Sequence, residues 1–240
     1  MSINSTWNDL SPYAIPPIAA SISIIPVFPG FIAKTAQQLG QPVPKMTVMK
    51  ALKSGIKSAP IAGVVTGTQM VAQNLAEKAL TKISGESDKP NVALMSISSL
   101  MVGVISAPPL SVLNGHSMGY TAAQSLKKLS MKQTSVITAR EGCFLLSLRA
   151  SDPINEQMKE TLGNSALVKL GCAFFSGAIG SILSHPCDTT LTLWQRGVKI
   201  ESYHQLMRGA PMKALTIGSF CLLYNSTKDF LDRIDGYSKV

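Results

Sequence analysis

Apolar residues along the chain gather in about six stretches, roughly 13–38, 58–78, 91–118, 142–160, 165–195 and 210–230. None is a clean apolar run of about 20 residues. Each is studded with Gly, Ala, Ser and Thr, which let helices approach closely where lipid supplies no hydrophobic drive between them. The fourth is the most polar, broken by Arg149, Asp152 and Glu156. The pattern predicts six helices. By itself it fits membrane spans and the buried helices of a soluble bundle alike.

Charge placement separates the two. Residues 34–57 hold Lys34, Lys45, Lys50, Lys53 and Lys57 with no acid. Residues 114–141 hold four bases against Glu141, and residues 189–213 hold four against Glu201. In 58–91, 142–170 and 214–240, three bases balance three acids each time. Every odd-numbered connection is therefore basic and the opposite side neutral. Six spans with both termini on the neutral side produce that alternation; a soluble bundle has no reason to.

Composition points the same way. Of 240 residues, 45% are apolar and 15% charged, against about 25% charged in an ordinary soluble domain. Mean hydropathy is +0.22 and the pI is near 9.5, with a net charge of +9. So apolar a chain is not disordered. Its basic surplus comes with too few aromatics for a nucleic-acid partner. Cys143, Cys172, Cys187 and Cys221 show no CxxC spacing and sit in apolar runs, as small buried residues do. His116, His185 and His204 lack metal-ligand spacing, and no phosphate loop, nucleophile elbow or dinucleotide fingerprint is present. We expect no enzyme, cofactor or metal. The opening MSINSTWNDLSPY has neither a basic n-region nor an Arg-rich amphipathic pattern, so any targeting signal is expected to be internal.

The chain repeats itself. Pro29, Pro109 and Pro186 are separated by 80 and 77 residues. Ten residues before each stands Ala19, Ser99 or Ser176, six before stands Ser23, Gly103 or Gly180, and nine after come Gln38, Met118 and Gln195. Each proline removes a backbone hydrogen bond and is expected to kink its helix. A second register marks the following helices: Lys57-Ser58-Ala59-Pro60 matches Arg208-Gly209-Ala210-Pro211, with Arg140-Glu141-Gly142 near the equivalent place. We expect one membrane domain over 1–240 with pseudo-repeats of about 11–82, 91–162 and 165–232.

On these residues the chain resembles the mitochondrial carrier family, over nearly its whole length. The third repeat carries the resemblance best, in SGAIGSILSHPCDTTLTLWQ and then RGAPMKALTIGSFCLLYNSTK. The family pattern is Pro-x-Asp/Glu-x-x-Lys/Arg with a Gln four residues on. Pro186, Asp188 and Gln195 match it, while Leu191 stands where the base belongs. The first repeat keeps Pro29, Lys34 and Gln38 but has Phe31 for the acid; the second keeps Pro109, with Ser111 and Asn114 in the charged positions.

The resemblance implies an all-α barrel of six tilted spans, three pseudo-repeats of a helix pair, around a central cavity with alternating access. It implies a matrix gate of Lys34, Asp188, Gln38 and Gln195, in which Asp188 faces Lys34, braced by Gln38. The two remaining contacts become Phe31–Asn114 and Ser111–Leu191, neither ionic. The gate on the other side survives only in outline at Tyr224 to Lys228, with Asn225 in place of the acid. Substrate contacts fall on Val65, Arg149 and Thr216, or on Lys213 instead of Thr216 if that helix is shorter. An arginine in mid-span faces a cavity or a partner; Arg149 suits a carboxylate or phosphate, and an internal bridge to Asp152 is equally open.

Lys45 to Lys57 places Met46, Met49, Leu52 and Ile56 on one face and Lys50, Lys53 and Lys57 opposite, an amphipathic surface helix suited to anionic headgroups. Arg208-Gly209 resembles the family's cardiolipin-binding step at a helix N-terminus; a basic flank obeying the charge rule is the plainer reading. The expected function is a monomeric carrier of a small anionic metabolite, embedded in the lipids of the mitochondrial inner membrane with both termini in the intermembrane space. The alternative is a transport-inactive relative serving as a membrane scaffold or insertase-like protein, with the outer membrane as another residence.

Overall fold

The structure is a computed structural model that describes residues 3–84, 92–163 and 165–237. These residues form helices and connecting turns, without a strand among them. In chain order the helices are α1 (Ile3–Gln38), α2 (Val48–Ser84), α3 (Val92–Ser117), α4 (Ala122–Lys128), α5 (Met131–Leu162), α6 (Ala166–Leu183), α7 (His185–Arg196), α8 (Tyr203–Leu206) and α9 (Ala210–Tyr237).

Taking α6 and α7 as one bent rod, six rods close a ring: α1 touches α2, α2 touches α3, α3 touches α5, α5 touches α6 and α7, α6 touches α9, and α9 returns to α1. Small residues set the close approaches. A methyl group on Gly63 of α2 would strike Ser21 of α1, and one on Gly103 of α3 would stand 2.9 Å from Thr138 Cα of α5. One on Gly177 of α6 would come 2.6 Å from the sulfur of Cys221 in α9. The Gly/Ala/Ser pattern thus reports helix contact in each pair.

Two helices are long and apolar enough to cross a membrane, Tyr13–Gln38 within α1 and Ser96–Ser117 within α3. The pair α6–α7 makes a third if it is one broken span. The expectation of six spans is therefore met only in part: α2, α5 and α9 are long but too polar. The reason is visible in the ring. Gln69 of α2, Arg140 and Glu141 of α5 and Lys213 of α9 lower the hydropathy of their helices, and all four line the central cavity.

The three prolines do not behave alike. Helix α1 runs unbroken past Pro29, and α3 runs unbroken past Pro108 and Pro109. Only Pro186 coincides with a break: it lies in the first turn of α7, and α6 and α7 meet at Ser184 with a 56° bend. A proline in the first helical turn starts a helix rather than distorting one, because its missing N–H is an orphan there anyway. At Pro29 the missing donor leaves the carbonyl of Ile25 without its helical partner. Gly55 of α2 packs directly onto that carbonyl, where a side chain would collide with it.

On the basic side, α1 and α2 are joined by 39–47, α3 and α5 by α4, and α7 and α9 by the single turn α8. Thr121 and Gln124 cap α4 reciprocally. The amphipathic segment 45–57 is not a separate surface helix; from Val48 onward it is the first turns of α2. Its apolar face is nevertheless bare, with Val48, Met49, Leu52 and Ile56 all exposed.

Candidate functional site

The ring surrounds a cavity lined by side chains of α1, α2, α3, α5, α7 and α9. At the basic end of that cavity, side chains from α1, α5 and α9 meet on Asp188 of α7. Lys34 Nζ of α1 is 2.8 Å from Asp188 Oδ2, and Gln38 Nε2 donates to the same oxygen at 3.1 Å. Arg140 Nη1 of α5 takes the other oxygen, Oδ1, at 2.9 Å. Lys213 Nζ of α9 donates to Ser184 Oγ at 3.1 Å and stands 3.7 Å from Asp188 Oδ2. Arg140 Nε also donates to Glu141 Oε1 at 2.9 Å, and Gln69 Nε2 of α2 donates to Glu141 Oε2 at 2.7 Å.

The cluster is dry. The Lys34 and Asp188 side chains are 3% exposed, and those of Glu141, Lys213 and Arg140 no more than 12%. Charges so far out of water persist only when paired and hydrogen-bonded. Each of the three sequence repeats supplies one cation, Lys34, Arg140 and Lys213, to a single carboxylate.

Beneath this ionic layer, toward the end of α7, lies a layer of amides and hydroxyls. Gln38 bridges into it, donating to Thr189 Oγ1 at 2.9 Å and accepting from Thr192 Oγ1 at 3.0 Å. Asn114 of α3 donates to Gln195 Oε1 at 2.7 Å, and Gln195 Nε2 donates to Ser111 Oγ at 2.9 Å. Below that again, two cations stand over the ring of Tyr120, with Lys128 Nζ 4.0 Å and Arg196 Cζ 4.9 Å from its centroid. Lys128 and Arg196 in turn donate to the carbonyls of Gln195 and Met118. The basic end is closed by three layers, of which only the first is ionic.

Several sequence-derived assignments shift. Gln195 does not reach Asp188; it holds α7 to α3 through Asn114 and Ser111. Asn114 and Ser111, expected opposite Phe31 and Leu191, hydrogen-bond Gln195. Leu191 is fully buried in an apolar cluster with Val65, Ala107, Leu110 and Ile137, and Phe31 packs beside Phe28. Val65 lines the cavity, as does Lys213. Thr216 does not: its hydroxyl donates to Met212 O, and its side chain packs against Gly30 of α1. The shorter alternative for that helix, with Lys213 inward, fits the cavity. The Arg149 side chain lies outside the described residues.

Arg208 is exposed, its carbonyl accepting from His185 Nε2 at 2.9 Å. Gly209 adopts φ +83° and faces the Lys34 carbonyl and Gln37, so this step packs against the end of α1. At the opposite end, Lys228 pairs with Asp232 on its own helix at 3.5 Å, and Lys169 with Asp229 at 2.6 Å. Both pairs are substantially exposed and worth at most about 1 kcal/mol each.

Arg140 and Glu141 are the members of the ionic layer that sequence reasoning missed, because they read as the basic flank of a span. The available signal was Glu141 itself, the lone acid of the connection 114–141, standing next to a base. Among the described residues no group of three His, Cys, Asp or Glu side chains is placed to hold a metal ion. Comparison with protein-family models and with curated protein sequences finds no match.

Proposed function

We propose that the protein is a membrane transporter of small anions that works by alternating access, built like a mitochondrial carrier and resident in the mitochondrial inner membrane. The observation that carries this reading is the convergence of Lys34, Arg140 and Lys213 on Asp188 at one end of a cavity ringed by six helices. A stability element gains little from burying five charges when apolar residues of similar size would serve as well. A gate needs contacts that part and re-form, and ionic pairs lining a cavity suit that.

In this reading all six rods span the bilayer, with polar stripes turned inward and both termini on the neutral, intermembrane-space side. The described conformation is then the one closed toward the matrix. Opening separates α7 from α1, α3 and α5, and the anion competes with Asp188 for the cations. The monomer is the working unit. Anionic lipid, cardiolipin included, is expected along the basic rim formed by Lys50, Lys53, Lys57 and Arg208, all exposed.

Uptake of labelled anions into proteoliposomes tests the proposal, with wild type beside Asp188→Asn and Lys34→Gln. Uptake by wild type that falls at least about tenfold in both variants supports it. A folded, reconstituted protein that moves none of the phosphate, nucleotide, mono-, di- or tricarboxylate panel overturns it. The scaffold reading would then take its place. That alternative draws on the amide layer, since Asn114–Gln195 and Ser111–Gln195 stand where further ion pairs would make a more symmetric gate.

A further inference from the structure

Among the described residues, the charges lining the cavity do not balance. Lys34, Arg140 and Lys213 face Asp188 and Glu141, which leaves one positive charge over. The surplus has an address. Asp188 gives one oxygen to Arg140 and the other to Lys34, and Glu141 is shared between Arg140 and Gln69. Lys213, buried and lining the cavity, is left with the neutral hydroxyl of Ser184 and a carboxylate oxygen at 3.7 Å, beyond hydrogen-bond reach. An ammonium has three protons to place.

Away from this end the cavity wall turns apolar. On α1, Phe31 and Phe28 follow one and two turns before Lys34; on α9, Ile217 and Phe220 follow one and two turns after Lys213. Phe144 stands one turn beyond Arg140 on α5. From Lys34 to Phe28 is six residues, about 9 Å along the helix. Phe28, Phe31 and Phe220 pack in one cluster, so this wall is continuous between α1 and α9.

We infer that the cavity takes a monocarboxylate with a short apolar or aromatic body, its carboxylate on Lys213 and its body against Phe28, Phe31 and Phe220. One negative charge neutralises the surplus. A dicarboxylate, tricarboxylate or nucleotide would overshoot it by at least one charge, and would set its remaining charges against phenylalanine. This assignment rests on reading the cavity as a ligand site, but does not need the ligand to be transported.

Calorimetric titration of the purified full chain in detergent tests it, using 3-phenylpropanoate, its neutral amide, succinate, citrate, ADP and oleate. We expect 3-phenylpropanoate to bind at least about tenfold tighter than the amide, succinate, citrate or ADP. Lys213→Gln should abolish that advantage. Phe220→Ala should weaken 3-phenylpropanoate while leaving acetate, titrated as a control beside the six, unchanged. Glu141→Gln, which raises the surplus to two, should move the preference toward succinate. Oleate separates an acid drawn from the membrane from a dissolved one: it is far longer than the apolar wall and should compete poorly.

The inference is overturned if wild type ranks a multivalent anion first, binds acid and amide equally, binds only oleate, or binds none of the six. The wild-type ranking decides this even where a variant fails to fold. Parallel uptake assays keep the two proposals apart. Binding of 3-phenylpropanoate without uptake removes the transporter reading and leaves this one, whereas uptake of citrate without 3-phenylpropanoate binding does the reverse.

Discussion

Arg140 and Asp188 form the contact on which the ionic layer turns: Nη1 to Oδ1 at 2.9 Å, between a side chain at the start of α5's apolar run and one in the first turn of α7. Because Lys34 occupies the other carboxylate oxygen, Asp188 is, among the described residues, the group that joins these two cations.

Replacing Asp188 should therefore hurt more than replacing either partner. Asp188→Asn leaves Lys34, Arg140 and Lys213 facing one another with Glu141 as the one remaining acid. Breaking a buried pair from one side costs roughly 3–5 kcal/mol. Thermal unfolding in detergent should show the largest drop for Asp188→Asn, a smaller one for Lys34→Gln, and partial recovery in the double variant. Additive losses in the double variant would show that the two side chains are not coupled.

The amide layer makes a different prediction. Asn114 and Gln195 satisfy each other in a buried place, so Asn114→Leu should cost about 1–3 kcal/mol by stranding Gln195, and Gln195→Leu similarly. With both replaced by leucine the stranded groups are gone, and most of the loss should return. Denaturation midpoints of the three variants measure this, and a double variant worse than either single one would contradict it.

These two layers were unequally legible in the sequence. Lys34, Gln38 and Asp188 could be brought together because proline spacing fixed a common register for residues far apart in the chain, and the structure joins all three. Arg140 could not, since it lies outside that register and a helix-flanking base looks the same whether it faces lipid headgroups or turns inward. Thr216 failed for a similar reason. Counting along α9 gives height but not azimuth, and Gly30 leaves room on the α1 side that the threonine fills. The rods themselves were legible from apolar stretches, while the unbroken passage of α1 and α3 through their prolines depends on neighbours no local pattern reveals.

Gly55 shows such a neighbour. Gly55→Ala places a methyl group against the Ile25 carbonyl and should destabilise the protein by about 1–3 kcal/mol, the usual range for overpacking. Gly171→Ala in α6, where nothing lies within 4 Å, should be neutral or stabilising by up to about 1 kcal/mol. Equal effects at the two sites would argue against close α1–α2 contact.

Topology can be checked by labelling. In a cysteine-free background reconstituted in liposomes, Gln41→Cys, Thr121→Cys and Ser202→Cys, all exposed, should react with an impermeant maleimide from one face, and Ser165→Cys from the other. Thr121→Cys and Ser165→Cys reacting from the same face would rule out the six-span arrangement.

The break at Ser184 has a mechanical consequence. Asp188, Thr192, Gln195 and Arg196 all ride on α7, a twelve-residue lever hinged at Ser184 and ended by Gly197 in the left-handed conformation. A swing of this one lever would part α7's side-chain bonds to α1, α3 and α5 together, while α6 stayed seated on α9. Helices α1 and α3 carry no matching break. Motion at this end should then resemble a latch lifting on one side rather than an iris widening around its whole rim.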